Sequence, residues 1–198
     1  NVAYCDQSPW HMNETIQQSI IAMSIFDEKW YKTVLRACAL DRDLQQLPQG
    51  DQTVIGSKGI ALSGGQSQRI ALARAIYAQK EVVIIDDALS GLDASTENHI
   101  FHSLLGRSGL LRRLNTTVLI ASSAAKRLPY ADHIVALNIE GKISEQGTFN
   151  ELNASGGYVS SFTLLPPDWD YQSPEEILSD KPQDYTYVPP GPNLAANS

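Results

Sequence analysis

Hydrophobic and polar positions along the chain follow patterns that are typical of alternating strands and helices. Four consecutive β-branched residues at 82–85, followed by two aspartates, predict a strand buried on both faces of a parallel sheet. The short alternation at 1–5 predicts another strand, and 116–121 predict a second buried one. The other predicted elements are helices at 13–23, 27–40, 63–79, 94–114, 124–128 and 148–153, and a hairpin-like strand pair at 133–137 and 142–145. This alternation of strands and helices predicts an α/β fold.

The composition of the chain changes after Phe162. Of the 198 residues, 42% are apolar, so residues 1–162 have enough apolar side chains for the core of one domain. Residues 163–198 hold seven of the ten prolines, together with six acidic residues and one lysine. This composition predicts a linker, disordered or extended, although its Pro-Pro pairs also fit the ligands of aromatic grooves.

Charge and cysteine content narrow the class of protein. The net charge of −7 disfavours generic binding to nucleic acid, which needs a basic surface. Cys5 and Cys38 are too few for a disulfide framework, and we interpret them as small buried residues. No apolar run approaches the ~18 residues that a membrane span needs. The first methionine, Met12, lies inside a motif, so we interpret Asn1 as a cut end.

Several motifs follow one another in order. Residues 62–66 read Leu-Ser-Gly-Gly-Gln, the strand at 82–87 ends in two aspartates, and residues 90–93 read Ser-Gly-Leu-Asp. These segments resemble the signature motif, the Walker B strand and the D-loop of ATP-binding-cassette (ABC) nucleotide-binding domains. Gln7 falls at the position of that family's Q-loop glutamine. The resemblance covers residues 1–162.

Two further segments resemble one branch of this family. Residues 4–10 and 129–132 are similar to the C, or multidrug-resistance-associated, subfamily of full-length ABC transporters, and specifically to their first nucleotide-binding domain. The resemblance implies a RecA-like P-loop NTPase core, a parallel sheet with helices, and an ABC α-helical subdomain at about residues 8–78. No Gly-x-x-x-x-Gly-Lys-Ser/Thr segment is present, so we expect an N-terminally truncated domain whose Walker A loop lies upstream.

The segment at 63–66 has the chemistry of a phosphate-binding turn. Its two glycines let the backbone approach a phosphate closely, its serine adds a hydroxyl donor, and the helix that follows presents free N–H groups. Taken alone, the segment is equally compatible with a serine N-cap at the start of an ordinary helix. The resemblance implies that the residues that bind ATP held by a second nucleotide-binding domain are Ser63, Gly64, Gly65, Gln66 and Asp93.

A second group of candidate residues follows the predicted strands. Asp86 suits a carboxylate that holds Mg²⁺ through a water, and the resemblance implies metal-binding and catalytic roles for Gln7. Asp87 stands where the family has a glutamate general base, and Ser123 where it has a histidine that contacts the γ-phosphate. Aspartate is one methylene shorter, and serine is too short and carries no positive charge. The resemblance therefore implies a degenerate catalytic site; alternatively, the two aspartates only cap the strand.

The resemblance implies a part of an ATP-driven exporter, with ATP and Mg²⁺ as cofactors. Its expected partners are a second nucleotide-binding domain and transmembrane domains, at the cytoplasmic face of the plasma membrane or vacuole, and not nucleic acid. One alternative is a truncated assembly or regulatory module without ATP turnover. Another is a soluble ABC ATPase of the DNA-repair type, which the lack of sustained heptads disfavours. Trp10 is expected either to contact the membrane domain or to lie in the core of the helical subdomain.

Overall fold

The computed structural model describes residues 1–57 and 59–162; Lys58 and the predicted linker at 163–198 lie outside the described residues. The strands are β1 (Val2–Cys5), β2 (Val82–Asp86), β3 (Thr117–Ala121), β4 (Ile134–Leu137) and β5 (Ile143–Gly147). The α-helices are α1 (Ile16–Ile21), α2 (Glu28–Ala37), α3 (Asp41–Gln46), α4 (Gly64–Tyr77), α5 (Ala94–Leu105), α6 (Leu110–Arg113) and α7 (Phe149–Ser155). Short 3₁₀ helices occupy Gly50–Gln52, Ala125–Tyr130 and Val159–Ser161. Strands and helices together confirm the α/β class.

The first three strands form a parallel sheet in the order β1-β2-β3. Tyr4 pairs with Ile84 across β1 and β2, and Ile84 pairs with Leu119 across β2 and β3. Because all three strands run in the same direction, their carboxyl ends meet at one edge of the sheet. This edge is where ligands bind in open α/β sheets, and it carries most of the candidate residues.

The prediction that β2 and β3 are buried on both faces is wrong for the described residues. In β2, Val83 and Ile85 are each 1% exposed, whereas the alternate residues are only half-buried. In β3, Leu119 is 60% exposed. Helix α4 packs on β1 and β2, and β3 lies at the edge of this sheet with β2 as its partner. Helices of the described chain therefore cover one face of this sheet. The β-branched composition alone does not indicate which face is covered.

Helix α4 lies at the centre of the larger hydrophobic core. Its buried side chains pack against β1, β2, α1 and α2. On α2, Asp27 is the N-cap and accepts a hydrogen bond from the Trp30 N–H at 2.9 Å. The Trp30 indole nitrogen then donates to the Tyr77 carbonyl at 3.0 Å, in the last turn of α4. Buried hydrophobic packing and a buried hydrogen bond thus fix α2 against the far end of α4.

Two helix predictions need correction, and one helix was not predicted. The helix predicted over 94–114 is broken between α5 and α6, because the backbone of Gly106 leaves the helical conformation, with a ψ of 176°. The helix predicted over 13–23 is shorter, since Thr15 and Gln18 form a capping box that starts it at Ile16. Helix α3 was not predicted. Its six residues show no apolar periodicity that would distinguish it from a loop.

The hairpin predicted near the end of the domain is confirmed. Strands β4 and β5 are antiparallel, and α7 packs against them. This second, smaller core is formed by buried side chains of Ile134, Ala136, Leu152 and Val159. It contains none of the candidate residues, and Leu128 of the 3₁₀ helix at Ala125–Tyr130 packs against it.

Candidate functional site

Two aspartates at the end of β2 accept hydrogen bonds from residues at the end of β1. The Gln7 amide nitrogen donates to Asp87 Oδ2 at 3.3 Å, and the Tyr4 hydroxyl donates to Asp86 Oδ2 at 2.9 Å. The parallel arrangement of the strands brings these side chains together from distant parts of the sequence. The hydrogen bond to Asp86 raises the pKa of Tyr4, because the carboxylate favours the protonated phenol.

The backbone of Asp87 turns sharply away from β2. Its φ is 46°, in the left-handed region, which aspartate tolerates better than most residues. The Asp87 N–H donates to the Ala121 carbonyl at 2.9 Å, and the Ser90 hydroxyl donates to the Asp87 carbonyl at 3.0 Å. Asp86 is therefore the last residue of the strand, and Asp87 opens a turn that both neighbouring segments hold in place.

Ser123 lies in the exposed loop that follows β3. The loop leaves the sheet at the same edge as the two aspartates, because the last residue of β3, Ala121, accepts the Asp87 N–H. The Ser123 carbonyl accepts from the Ala125 N–H at 3.1 Å, which ties it to the following 3₁₀ helix. The fold thus brings Ser123 to the edge that also carries Gln7.

The predicted signature segment, residues 62–66, forms a complete capping box at the start of α4. The Gln66 N–H donates to Ser63 Oγ at 3.2 Å, and the Ser63 N–H donates to Gln66 Oε1 at 3.0 Å. The N-cap interpretation of Ser63 is therefore correct. It does not compete with the phosphate-binding interpretation, because Gly64 and Gly65 occupy the first turn, where a helix has no carbonyl to receive their N–H groups.

A partly buried ion pair supports this start of α4. Arg69 donates to Asp43 Oδ2 at 2.6 Å and also to the carbonyl of Ala39. Asp43 Oδ1 in turn accepts from the Gln66 amide nitrogen at 2.8 Å. The side chains of Arg69 and Asp43 are 12% and 19% exposed, so water screens the pair only weakly. Sequence reasoning missed both residues, because their contact joins positions that no local pattern connects.

Asp93 caps α5 and lies close to the signature segment. It accepts from the Thr96 N–H at 3.0 Å, and this backbone hydrogen bond lowers the pKa of Asp93. The neighbouring Leu92 side chain lies 3.4 Å from the position that a Cβ on Gly65 would occupy. The fold therefore places the predicted D-loop beside the first turn of α4.

Residues on both sides of Gln7 contact the body of α4. The Gln68 amide nitrogen donates to the Asp6 carbonyl at 2.9 Å, and the His11 Nε2 lies 2.6 Å from the Ser67 hydroxyl. Burial, followed by the positive charge of Arg74, lowers the pKa of His11. The loop that carries Gln7 and the helix that carries the signature segment are thus one connected unit in this chain.

Trp10 lies on the surface. It is 57% exposed, with the Arg74 guanidinium 4.3 Å from its ring centroid, and the same guanidinium donates to the Trp10 carbonyl at 3.1 Å. The interpretation of Trp10 as a core aromatic is therefore wrong. A contact between Trp10 and a membrane domain stays a prediction.

The side chains at the sheet edge fit Mg²⁺ chemically. Mg²⁺ prefers oxygen ligands and is usually held by one or two carboxylates together with substrate phosphates. Asp86 supplies a carboxylate, and Gln7 keeps its amide oxygen as an acceptor while its nitrogen donates to Asp87. Among residues 1–57 and 59–162, no group of three or more His, Cys, Asp or Glu side chains could hold a metal ion. No helix in the same part of the chain is long and apolar enough to cross a membrane.

Comparisons with known proteins identify the family of this chain. Residues 1–90 match the family model described as ABC transporter. The chain is 62% identical, over 92% of its length, to ABC multidrug transporter B of Aspergillus fumigatus. It is 52% identical over 80% of its length to ABC transporter gloK of Glarea lozoyensis, and 49% identical over 76% to ABC multidrug transporter lscH of Purpureocillium lilacinum.

The alignments cover a small part of each relative. The chain corresponds to 13%, 12% and 11% of the length of these three transporters, in the order given. The similarity is nevertheless high, and the family match contains Gln7, the signature segment at 62–66 and both aspartates at the end of β2. Over the matched region, the chain is an ABC transporter ATP-binding domain, and fungal ABC multidrug transporters are its homologues.

Proposed function

We propose that this chain is part of the first nucleotide-binding domain of an ATP-driven membrane exporter of the C subfamily. Residues 1–162 form an N-terminally truncated cassette with a RecA-like core and a helical subdomain at about residues 8–78. Residues 163–198 link it to the next domain. The high identity to multidrug transporters over 92% of the chain supports this proposal.

The observation that carries the proposal is the hydrogen bond between Gln7 and Asp87, next to Asp86. Mg²⁺, when bound with ATP, supplies positive charge that neutralises the phosphates. Asp86 would hold Mg²⁺ through a water, and the Gln7 amide oxygen would provide a further ligand. Asp87 orients and polarises the attacking water, and Gln7 holds its carboxylate in place.

This hydrolytic site is degenerate in the proposal. The Asp87 carboxylate is one methylene shorter than glutamate, and a displacement of about 1 Å can lower a rate about 10²-fold. Ser123 lies at the same edge of the sheet, but its hydroxyl is short and uncharged. The site therefore holds nucleotide more than it hydrolyses it.

The signature segment serves the opposite site. Ser63, Gly64, Gly65 and Gln66, together with Asp93, close over ATP that a second nucleotide-binding domain holds. The capping box and the Asp43–Arg69 pair fix the first turn of α4, so its backbone N–H groups are in place before nucleotide arrives. The main catalytic contribution of the chain is then made to its partner, at the cytoplasmic face of the plasma membrane or vacuole, with the transmembrane domains as further partners.

Two substitutions in the complete transporter test this assignment. Gly65→Asp places a negative charge against phosphate and is expected to abolish transport, whereas Asp87→Asn is expected to reduce it much less. The added side chain meets Leu92 at 3.4 Å, an ordinary contact, and an acidic residue in a first helical turn is favourable for the helix. Loss of transport is therefore not expected to come from unfolding.

Gly65→Asn is the matched control, because it has the same size as Gly65→Asp without the charge. We expect it to retain more transport than Gly65→Asp, with ATP hydrolysis measured in the same membranes. Equal loss from Gly65→Asp and Asp87→Asn would refute the asymmetric assignment. If neither substitution changes ATP hydrolysis, a non-catalytic assembly module becomes the better description.

A further inference from the structure

Tyr4 reaches the end of β2 along the diagonal of the parallel strand pair. Because Tyr4 pairs with Ile84, Asp86 is two residues further along β2 and on the same face of the sheet. Diagonal neighbours of this kind are within reach of an aromatic side chain. The Tyr4 hydroxyl uses that reach to donate to Asp86 Oδ2 at 2.9 Å.

We propose that Tyr4 is a positioning residue for the Asp86 carboxylate, an inference that rests on the proposed role of Asp86 in holding Mg²⁺. A hydrogen bond to a carboxylate is charge-assisted and fixes one oxygen, which sets the plane of the group. With Oδ2 held by Tyr4, Oδ1 would be the oxygen through which Asp86 holds Mg²⁺ by way of a water. Hydrogen-bond partners of this type orient metal-binding carboxylates, and their loss weakens metal binding.

The burial pattern of β1 separates this role from core packing. Ala3 and Cys5 are 8% and 1% exposed and form part of the core, whereas Tyr4 is 54% exposed on the opposite face. Removal of the hydroxyl alone is therefore expected to leave the core intact. The next donor along the chain, Gln7, contacts Asp87, so β1 and its following loop hold both aspartates.

The test is the Mg²⁺ dependence of nucleotide binding by the complete transporter. Labelling with a photoactivatable ATP analogue is measured at increasing Mg²⁺, on the proteolytic fragment that contains this chain. Tyr4→Phe is expected to raise the Mg²⁺ concentration for half-maximal labelling about tenfold, with wild-type labelling at saturating Mg²⁺. Tyr158→Phe is the matched control, since that ring lies against Phe162 and away from the sheet edge. It is expected to leave the Mg²⁺ dependence unchanged.

Asp86→Asn distinguishes failure of this inference from failure of the proposed function. If Asp86→Asn shifts the Mg²⁺ dependence and Tyr4→Phe does not, the positioning role of Tyr4 is overturned and the metal role of Asp86 stands. The same conclusion follows if Tyr4→Phe lowers the Mg²⁺ concentration that is required. If Asp86→Asn has no effect, the metal role falls and the positioning role with it. The double variant is expected to shift no further than Asp86→Asn alone, because Tyr4 acts through Asp86. An additive shift would also overturn the inference.

Discussion

Replacement of Gly64 by alanine separates the effect of this residue on the fold from its proposed contact with phosphate. Gly64 is the first residue of α4, and a Cβ built on it meets no heavy atom within 4 Å. Alanine is also favoured over glycine in a helix by about 0.5–1 kcal/mol. We therefore expect the free energy of unfolding to stay constant or to rise by up to about 1 kcal/mol.

The effect on function is expected to have the opposite sign. In the proposed site, the backbone of Gly64 lies against a phosphate of ATP held by the partner domain, and a methyl group occupies the space that this close approach needs. Alanine keeps its backbone N–H, but a phosphate that the methyl group displaces loses this positioned donor, and loss of one such donor lowers a catalytic rate by about 10²–10³-fold. We expect Gly64→Ala to lower ATP hydrolysis at the partner site, and with it transport, by at least about tenfold.

Two measurements on Gly64→Ala separate its effect on the fold from its effect on transport. Thermal or denaturant unfolding of the purified chain reports the effect on the fold, and uptake by inside-out vesicles that contain the complete transporter reports transport. Asn150→Ala is the control, because Asn150 is an exposed residue in the first turn of α7, away from the sheet edge. Full transport by Gly64→Ala would refute the phosphate contact. A loss of stability greater than about 1 kcal/mol would instead refute the steric reasoning.

Three further predictions concern the stability and reactivity of the chain. Glu97→Gln is expected to lower the free energy of unfolding by about 1–3 kcal/mol, because it weakens the contacts of a largely buried carboxylate with Lys126 and Arg127. Glu28→Gln, in the exposed pair with Lys32, is the control and is expected to change the free energy of unfolding far less in the same denaturant titration. The lowered pKa of His11 means that the unfolded chain binds more protons below about pH 6.5, so stability falls as the pH falls through that value, by at most about 1.4 kcal/mol per pH unit. His11→Gln should reduce this loss in melts at two pH values, and an unchanged loss would contradict the assignment. Burial raises the pKa of Cys5 to about 12, so an aromatic disulfide reagent is expected to react with this thiol only after unfolding, and rapid reaction of the native chain would show that the site is open.

The parts of the fold that could be predicted are those encoded by neighbouring residues. Asp27 and Ser63 are polar residues directly before helical segments, and both are N-caps in the structure. The β-branched run at 82–85 is a strand of a parallel sheet, and the predicted hairpin is formed by β4 and β5. The two caps, the extended conformation of 82–85 and the hairpin are each determined within about 15 residues of sequence, which is the range over which periodicity and capping patterns operate.

The features that could not be predicted depend on what packs against an element. The sequence of β3 is as apolar as that of a buried strand, yet Leu119 is exposed because the described chain places no helix over it. The break between α5 and α6 lies at Gly106, whose backbone is extended and so close to the carbonyl of His102 that a Cβ would clash, a contact that apolar periodicity does not show. Helix α3 begins directly after Leu40, and its Asp43 contacts Arg69, which lies 26 positions away in the sequence.

The same distinction explains why sequence motifs located the candidate site without describing its geometry. A motif identifies residues such as Asp86 and Gln7 by their neighbours in the sequence, but their partners are selected by strand register. Tyr4 and Asp86 are 82 positions apart, and only the parallel pairing of β1 with β2 places a phenol within hydrogen-bonding distance of that carboxylate. A change in this register by one residue would turn the Tyr4 side chain to the opposite face of the sheet. The register of β1 against β2 therefore determines the contacts of the aspartates as much as their own identity does.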